Sequence, residues 1–396
     1  MKTNINFEDT EVAFSLKSNS ELRTALLLFK IIGKSYLTAI AKPITNFFLS
    51  IKLPIVAILK QTVFKQFCGG ETIQECHFTI KEMFEKKVYS ILDYSVEGKE
   101  NESQFNSTLA IALEALEFVT DYRATPFIVF KGTGLGRFDL FEKVSKNKPL
   151  SVIEKDEWAR VVNRFDTICN QCAKTPNIRV MIDAEESWIQ GAIDNLAEDM
   201  MVKYNKNRAV VFSTVQLYRW DRLAYLKKLK NKANDSGFHA GFKLVRGAYI
   251  EKERNKAQAN NYISPICSNK EETDANFNNG LDYCLNNLGV FEIFLGTHNE
   301  KSTKMLAELM NDQGLSNSDD RIWFGQLYGM SDHISFNLSK NNYNTAKYLP
   351  FGPVKDVIPY LLRRAEENTS VGNQTSRELG LIKKEISRRH KRKIKS

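Results

Sequence analysis

The sequence predicts an α/β protein, a distorted (βα)8 TIM barrel with an N-terminal helical extension. Two observations carry that expectation. After about residue 86, short β-rich apolar runs alternate eight times with longer segments of helical period. The runs are nearly continuous in hydrophobic residues, as strands covered on both faces by helices must be. Eight such units in one chain suggest a closed parallel barrel. The alternative, a doubly wound open sheet, would normally show a GxGxxG turn after its first strand. The nearest candidate, Gly132-Thr-Gly134-Leu-Gly136, follows the second run and is a weak signal.

The elements follow in order. From about Leu16 to Lys86 the spacing is helical, with Leu22, Leu26 and Phe29 on one face and Ile80, Met83 and Phe84 on another. Predicted strands then cover 88–92, 126–130, 179–182, 209–213, 241–245, 290–295, 321–324 and 346–349. The expected division is a helical arm over 1–86, a catalytic barrel over 87–370 and a basic tail over 371–396. Near the C-terminus, Tyr360, Arg363, Arg364 and Glu367 fall at i, i+3, i+4 and i+7, which places them on one stripe of a helix. Leu361, Leu362 and Ala365 take the opposite side. Asp356 is the predicted N-cap, with Pro359 in the first turn. The stripe has two readings: a solvated face with an i,i+4 ion pair, or a pincer of two forked guanidiniums for a small carboxylate.

Composition narrows the function classes. At 396 residues, 42% hydrophobic and 26% charged, the chain has the balance of a soluble globular protein. Six cysteines without framework spacing suit a reducing compartment. Cys169-Asn-Gln-Cys172 is one CxxC with no second ligand pair, so two helical cysteines are expected there rather than a metal site. The first residues carry Glu8, Asp9 and Glu11 and are not expected to form a targeting peptide. The apolar stretch Ile44 to Leu59 is broken by Lys52 and Pro54 and is too short to span a bilayer. Of the net charge of +9, the residues from Ile382 onward supply +7, with eight Lys or Arg against Glu385 alone. Such a tail can meet anionic lipid or nucleic acid, or it can equally be a solvated, disordered end.

In a barrel the chemistry belongs at the C-terminal strand ends. There the sequence places Asp93 and Glu97, then Lys131, Asp183 and Glu185, Gln216, and Lys243 through Tyr249. Thr297-His298-Asn299, Gln326 and Tyr348 complete the series. Each alone reads as a hydrogen-bonded loop residue; the series reads as a site.

These residues resemble the proline dehydrogenase family. The motifs are Tyr360-Leu-Leu-Arg363-Arg364-Ala-Glu-Glu367-Asn368, Lys243-Leu-Val-Arg-Gly-Ala-Tyr249, Ile182-Asp-Ala-Glu-Glu186, Gly296-Thr-His298-Asn299 and Gln326-Leu-Tyr-Gly-Met330, in order and at similar spacing. The resemblance covers about 88–368, and 14–32 is similar to the family's helical lead-in. It implies oxidation of L-proline to Δ1-pyrroline-5-carboxylate with non-covalent FAD and a quinone as electron acceptor. By it, Arg363, Arg364 and Lys131 hold the proline carboxylate. Tyr249, Tyr348 and Tyr360 wall the ring, with Leu244 beneath, and Glu97 gates the site by pairing with Arg363. Gln216, Lys243, Val245, Arg246, Gly247, Ala248, Thr297, His298, Asn299 and Gln326 match flavin positions, and Asp183 and Glu367 support the site. Many bacterial bifunctional relatives have Arg where Lys243 stands, so this chain is similar to the eukaryotic-type branch. With no second catalytic domain in the sequence, a monofunctional enzyme is expected, served by a separate pyrroline-5-carboxylate dehydrogenase. The expected location is cytoplasmic, with peripheral contact at the inner face of the cytoplasmic membrane and no nucleic-acid partner. A hydroxyproline dehydrogenase is the competing enzyme reading, and a non-catalytic basic barrel the competing reading outside enzymes.

Overall fold

The computed structural model describes residues 5–32, 59–96, 100–120, 123–361 and 372–395. Eight parallel strands close into a barrel in sequence order: β1 (Val88–Tyr94), β2 (Phe127–Lys131), β3 (Arg179–Asp183), β4 (Val211–Gln216), β5 (Ala240–Val245), β6 (Phe291–Gly296), β7 (Ile322–Leu327) and β8 (Thr345–Phe351). All eight predicted runs are strands, and closure removes the open-sheet alternative. Seven of them extend past their predicted C-terminal ends, because residues such as Asp93, Lys131 and Asp183 continue the ladder into the rim.

Packing divides the chain into two compact units: residues 1–97 with 298–300 and 325–396, and residues 98–297 with 301–324. In the first, β1 and β8 pair in register from Val88 opposite Thr345 to Tyr94 opposite Phe351. One apolar core joins Leu22, Ala25 and Phe29 of the helix Asn19–Ile32 to Val357, Tyr360 and Leu361, and to Leu381 and Ile382 of the C-terminal helix Gly372–Lys395. The solvated-end reading of the C-terminus is therefore corrected. A stripe at 378, 381, 382 and 385 is buried, so the segment folds onto the core despite its charge. Lys384 and Arg377 reach Glu8, Arg388 and Arg392 reach Glu11, and Arg389 meets Glu385 and the backbone oxygens of Phe14 and Lys17.

In the second unit β2 to β6 run side by side. Phe127 meets Phe212, Phe294 and Trp323 edge-on, with centroids 5.2–5.5 Å apart. Arg179 lies over Phe127 and Trp323 and pairs with Asp320. Phe127, Arg179, Phe212 and Trp323 lie in the first two residues of their strands, so this layer fills the lumen away from the functional rim. Cys169 and Cys172 are fully buried in the helix Val152–Lys174, where burial pushes both thiols up and makes them inert. Among the described residues no cluster of side chains could hold a metal ion, and no helix is long and apolar enough to cross a membrane. Most of the apolar stretch 44–59 lies outside the described residues.

The last barrel helix begins at residue 354 and is described to 361. Asp356 is inside it rather than its N-cap. The amides of Asp356 and Val357 both donate to the Pro353 carbonyl, and the Val354 amide donates to the Glu71 carboxylate at 3.1 Å. A carboxylate from a distant segment caps this helix, so it starts earlier than its own sequence suggests.

Candidate active site

The site is built from the residues that end the strands. Lys131 closes β2 in register with Asp183, which closes β3. The Lys243 ammonium forms an ion pair with Asp183. Lys243 thus pairs with Asp183 while Lys131 stands beside it in the ladder, and the three side chains together carry one net positive charge. Glu185, two residues further on, is fully buried; its carboxylate accepts from the Thr133 amide at 3.0 Å and from the Thr133 hydroxyl. Burial pushes this carboxyl up to about 7, opposed by the Thr133 bonds and the charge of Lys131. Gln216 ends β4 and donates to the Glu185 carbonyl at 2.7 Å.

The β5 segment shows which of its side chains face inward. A Cβ on Gly296 would meet Val245 and Lys243, which puts those two on one face, and the pairing of Lys243 with Asp183 two strands away makes that the lumen face. Strand side chains alternate, which turns Leu244 toward the surrounding helices, where it is fully buried. The expectation that Leu244 lies beneath a bound ring is corrected accordingly. Leu327, on β7, packs against the core cluster containing Tyr360, as do Leu26 and Leu379.

After β5 the chain turns at Gly247, whose φ of +134° favours glycine, and a side chain there would strike the Tyr218 ring. This fixes the path into Ala248 and Tyr249, and Tyr249 begins the helix Ile250–Ala259. Arg246 is held by Asp274, Thr297 at 3.1 Å and Ser302 at 3.0 Å, and its guanidinium stacks over Phe277.

In the other unit, the His298 Nδ1 is hydrogen-bonded to the Ser331 hydroxyl at 2.9 Å, and Asn299 is half-buried beside it. Gln326, near the end of β7, accepts from the Ser335 hydroxyl at 2.7 Å. Gly329 has φ +78°, and a Cβ there would collide with the Gln66 carbonyl oxygen. Tyr348 is central in β8 rather than at its end. Leu349 packs toward Gly69 and Lys347 toward Asp332, so Tyr348 between them faces the lumen. Tyr360 is buried in the core cluster. Glu97, Arg363, Arg364 and Glu367 lie outside the described residues.

The donor set suits a flat, anionic cofactor such as FAD. In the unit that carries β2 to β6, Lys131 and Gln216 end their strands, Lys243 stands near the end of β5, and the Gly247 turn lets backbone approach closely.

A family model described as Proline dehydrogenase matches residues 76–377. The chain belongs to the proline dehydrogenase family. It is 36% identical over 323 residues to a carbapenem antibiotics biosynthesis protein of Pectobacterium carotovorum, covering 82% of this chain and 83% of that one. It is 29% identical over 427 residues to the mitochondrial proline dehydrogenase 1 of Dictyostelium discoideum, covering 96% of this chain and 74% of that one. The fold matches proline utilization A from Bdellovibrio bacteriovorus with a TM-score of 0.70 at 19% identity, covering 92% of this chain and 36% of that longer protein. The proline dehydrogenase assignment agrees with the barrel and with the motif order. What sequence reasoning missed in this family member is the fixing of its strand ends by Glu185 and Ser331, whose partners lie 52 and 33 residues away in sequence.

Proposed function

We propose that the protein oxidises L-proline to Δ1-pyrroline-5-carboxylate, with FAD bound non-covalently and a quinone as the final electron acceptor. The observation that carries this reading is the Lys131–Asp183–Lys243 trio, whose single net positive charge at the strand ends suits one carboxylate. Desolvating a carboxylate is tolerable only against paired cations. Arg363 and Arg364 would complete the clamp, and Glu97 would close it by pairing with Arg363. Tyr348, Tyr249 and Tyr360 would wall the CH₂ groups of the ring and exclude water without offering a nucleophile. Gln216, Lys243, Val245, Arg246, Gly247, Ala248, Thr297, His298, Asn299 and Gln326 would hold FAD, with Asp183 and Glu367 behind them. When bound, FAD supplies the two-electron acceptor; the protein contributes mainly position.

A separate dehydrogenase would consume the product. The protein would work in the cytoplasm with peripheral contact at the inner membrane face, where the basic C-terminal helix can meet anionic lipid. Cosedimentation with anionic vesicles that falls as salt rises would support that contact. The decisive test of the activity is the absorption spectrum of the purified protein. A flavin spectrum bleached anaerobically by L-proline is expected. A colourless protein that FAD does not reconstitute would favour the non-catalytic barrel, and bleaching by 4-hydroxyproline in preference would move the substrate.

A further inference from the structure

The C-terminal helix carries charged side chains, yet one of its carboxylates is turned inward. Glu378 is 2% exposed, and its Oε1 accepts from the Ser331 amide at 2.6 Å. Ser331 precedes the helix Asp332–Lys340 with φ +52°, a left-handed conformation that costs a serine about 1–2 kcal/mol unless something holds it. The hydroxyl of the same serine is the one bonded to His298 Nδ1. Next to Glu378, Arg377 grips Glu300 at 2.7 Å. Glu300 in turn meets His333 Nε2 at 2.9 Å, and His333 Nδ1 lies 4.0 Å from Glu378. Adjacent residues of the C-terminal helix therefore hold both ends of the 298–300 turn.

We infer that Glu378 is a positioning residue for the cofactor site, acting through Ser331 to set the ring orientation and tautomer of His298. By capping Ser331 it fixes where the hydroxyl points. The bond at Nδ1 then decides whether Nε2 offers a proton or a lone pair to whatever lies beyond it. The inference rests on His298 facing FAD, as the proposed function has it. An ordinary helix-terminus carboxylate would stabilise the fold without any such link to His298.

The test uses the full-length protein with and without flavin, and the variants Glu378→Ala, Glu378→Gln, Ser331→Ala, His298→Ala and Arg389→Ala. Three quantities are read: Kd for FAD by fluorescence titration, the side-chain ¹⁵N resonances of His298 in flavin-free protein, and Tm. The His298 signals are those lost in His298→Ala among five histidines. Glu378→Ala should weaken FAD binding about tenfold, equivalent to about 1.4 kcal/mol, and shift the His298 resonances. Adding it to His298→Ala should cost nothing further, because the two act in series. Glu378→Gln keeps an oxygen acceptor for the Ser331 amide and should restore binding to within about threefold, or about 0.7 kcal/mol. Arg389→Ala, which loosens the same helix elsewhere, should lower Tm without moving the His298 resonances. Ser331→Ala should reproduce the resonance shift even if Glu378→Ala fails to fold. Unshifted resonances in Ser331→Ala or Glu378→Ala, or additive losses in the double variant, would overturn the inference. If the wild type binds no flavin the proposed function falls, while the resonances still decide whether Glu378 positions His298.

Discussion

Glu185 keeps its proton far above the usual carboxylate range because burial outweighs the Thr133 bonds. The folded carboxyl titrates at about 7 and the unfolded one near 4.5. Between those values the folded state binds more protons, so stability falls as pH rises from 4.5 to 7 and is level above it. The loss is on the order of 3 kcal/mol. Glu185→Gln can keep both Thr133 contacts and cannot ionise; urea unfolding at pH 5 and pH 8 should show a smaller difference for the variant than for the wild type. Tyr348 governs a second outcome. Its phenol faces the lumen, and in the proposed pocket a 4-hydroxyl on the substrate ring would crowd it at a cost of about 1–3 kcal/mol. The expected preference for proline over 4-hydroxyproline in kcat/KM is roughly 5- to 150-fold, and Tyr348→Ser should narrow it. An unchanged ratio would remove Tyr348 from substrate choice. The polar strand ends were legible from the sequence because lysine, aspartate and glutamine interrupt apolar runs. The direction of Leu244 was not. A strand buried on both faces has the same apolar texture inside and out, so its parity becomes visible only when Lys243 is seen to meet Asp183.

Helices were less legible than strands where their partners are remote. The last barrel helix takes its cap from Glu71, some 280 residues earlier, and no local pattern could announce it. In the C-terminal helix the excess of lysine and arginine masked a buried stripe of Glu378, Leu381, Ile382 and Glu385. Glu385 is fully buried and binds Arg388 at 2.8 Å and Arg389 at 2.7 Å. Glu385→Ala leaves Arg389, partly desolvated, without its counter-charge and Arg388 with Glu11 alone, and should cost about 3 kcal/mol in denaturant unfolding. Arg392→Ala removes an exposed pair with Glu11 and should cost under about 1 kcal/mol. Equal losses in the two variants would show that the buried carboxylate has no special weight.

For the molecule as a whole, barrel closure leaves no strand edge to template aggregation, so the exposed risk lies in the apolar core under the terminal helices. Ending the chain at residue 371 would strip Leu381 and Ile382 from that core. The truncated protein should melt several degrees lower and bind a hydrophobic dye such as ANS at neutral pH. A truncated protein with unchanged Tm would mean that the helix is only a charged appendage. The same packing also sets a schedule for synthesis. Leu22, Ala25 and Phe29 leave the ribosome early and must wait, uncovered, until the final helix has been translated. A nascent chain can pair its barrel strands before then, but it presents an open greasy seam to chaperones and proteases until its last helix arrives. A premature stop codon ahead of the segment encoding Gly372–Lys395 would therefore yield chains destined for degradation.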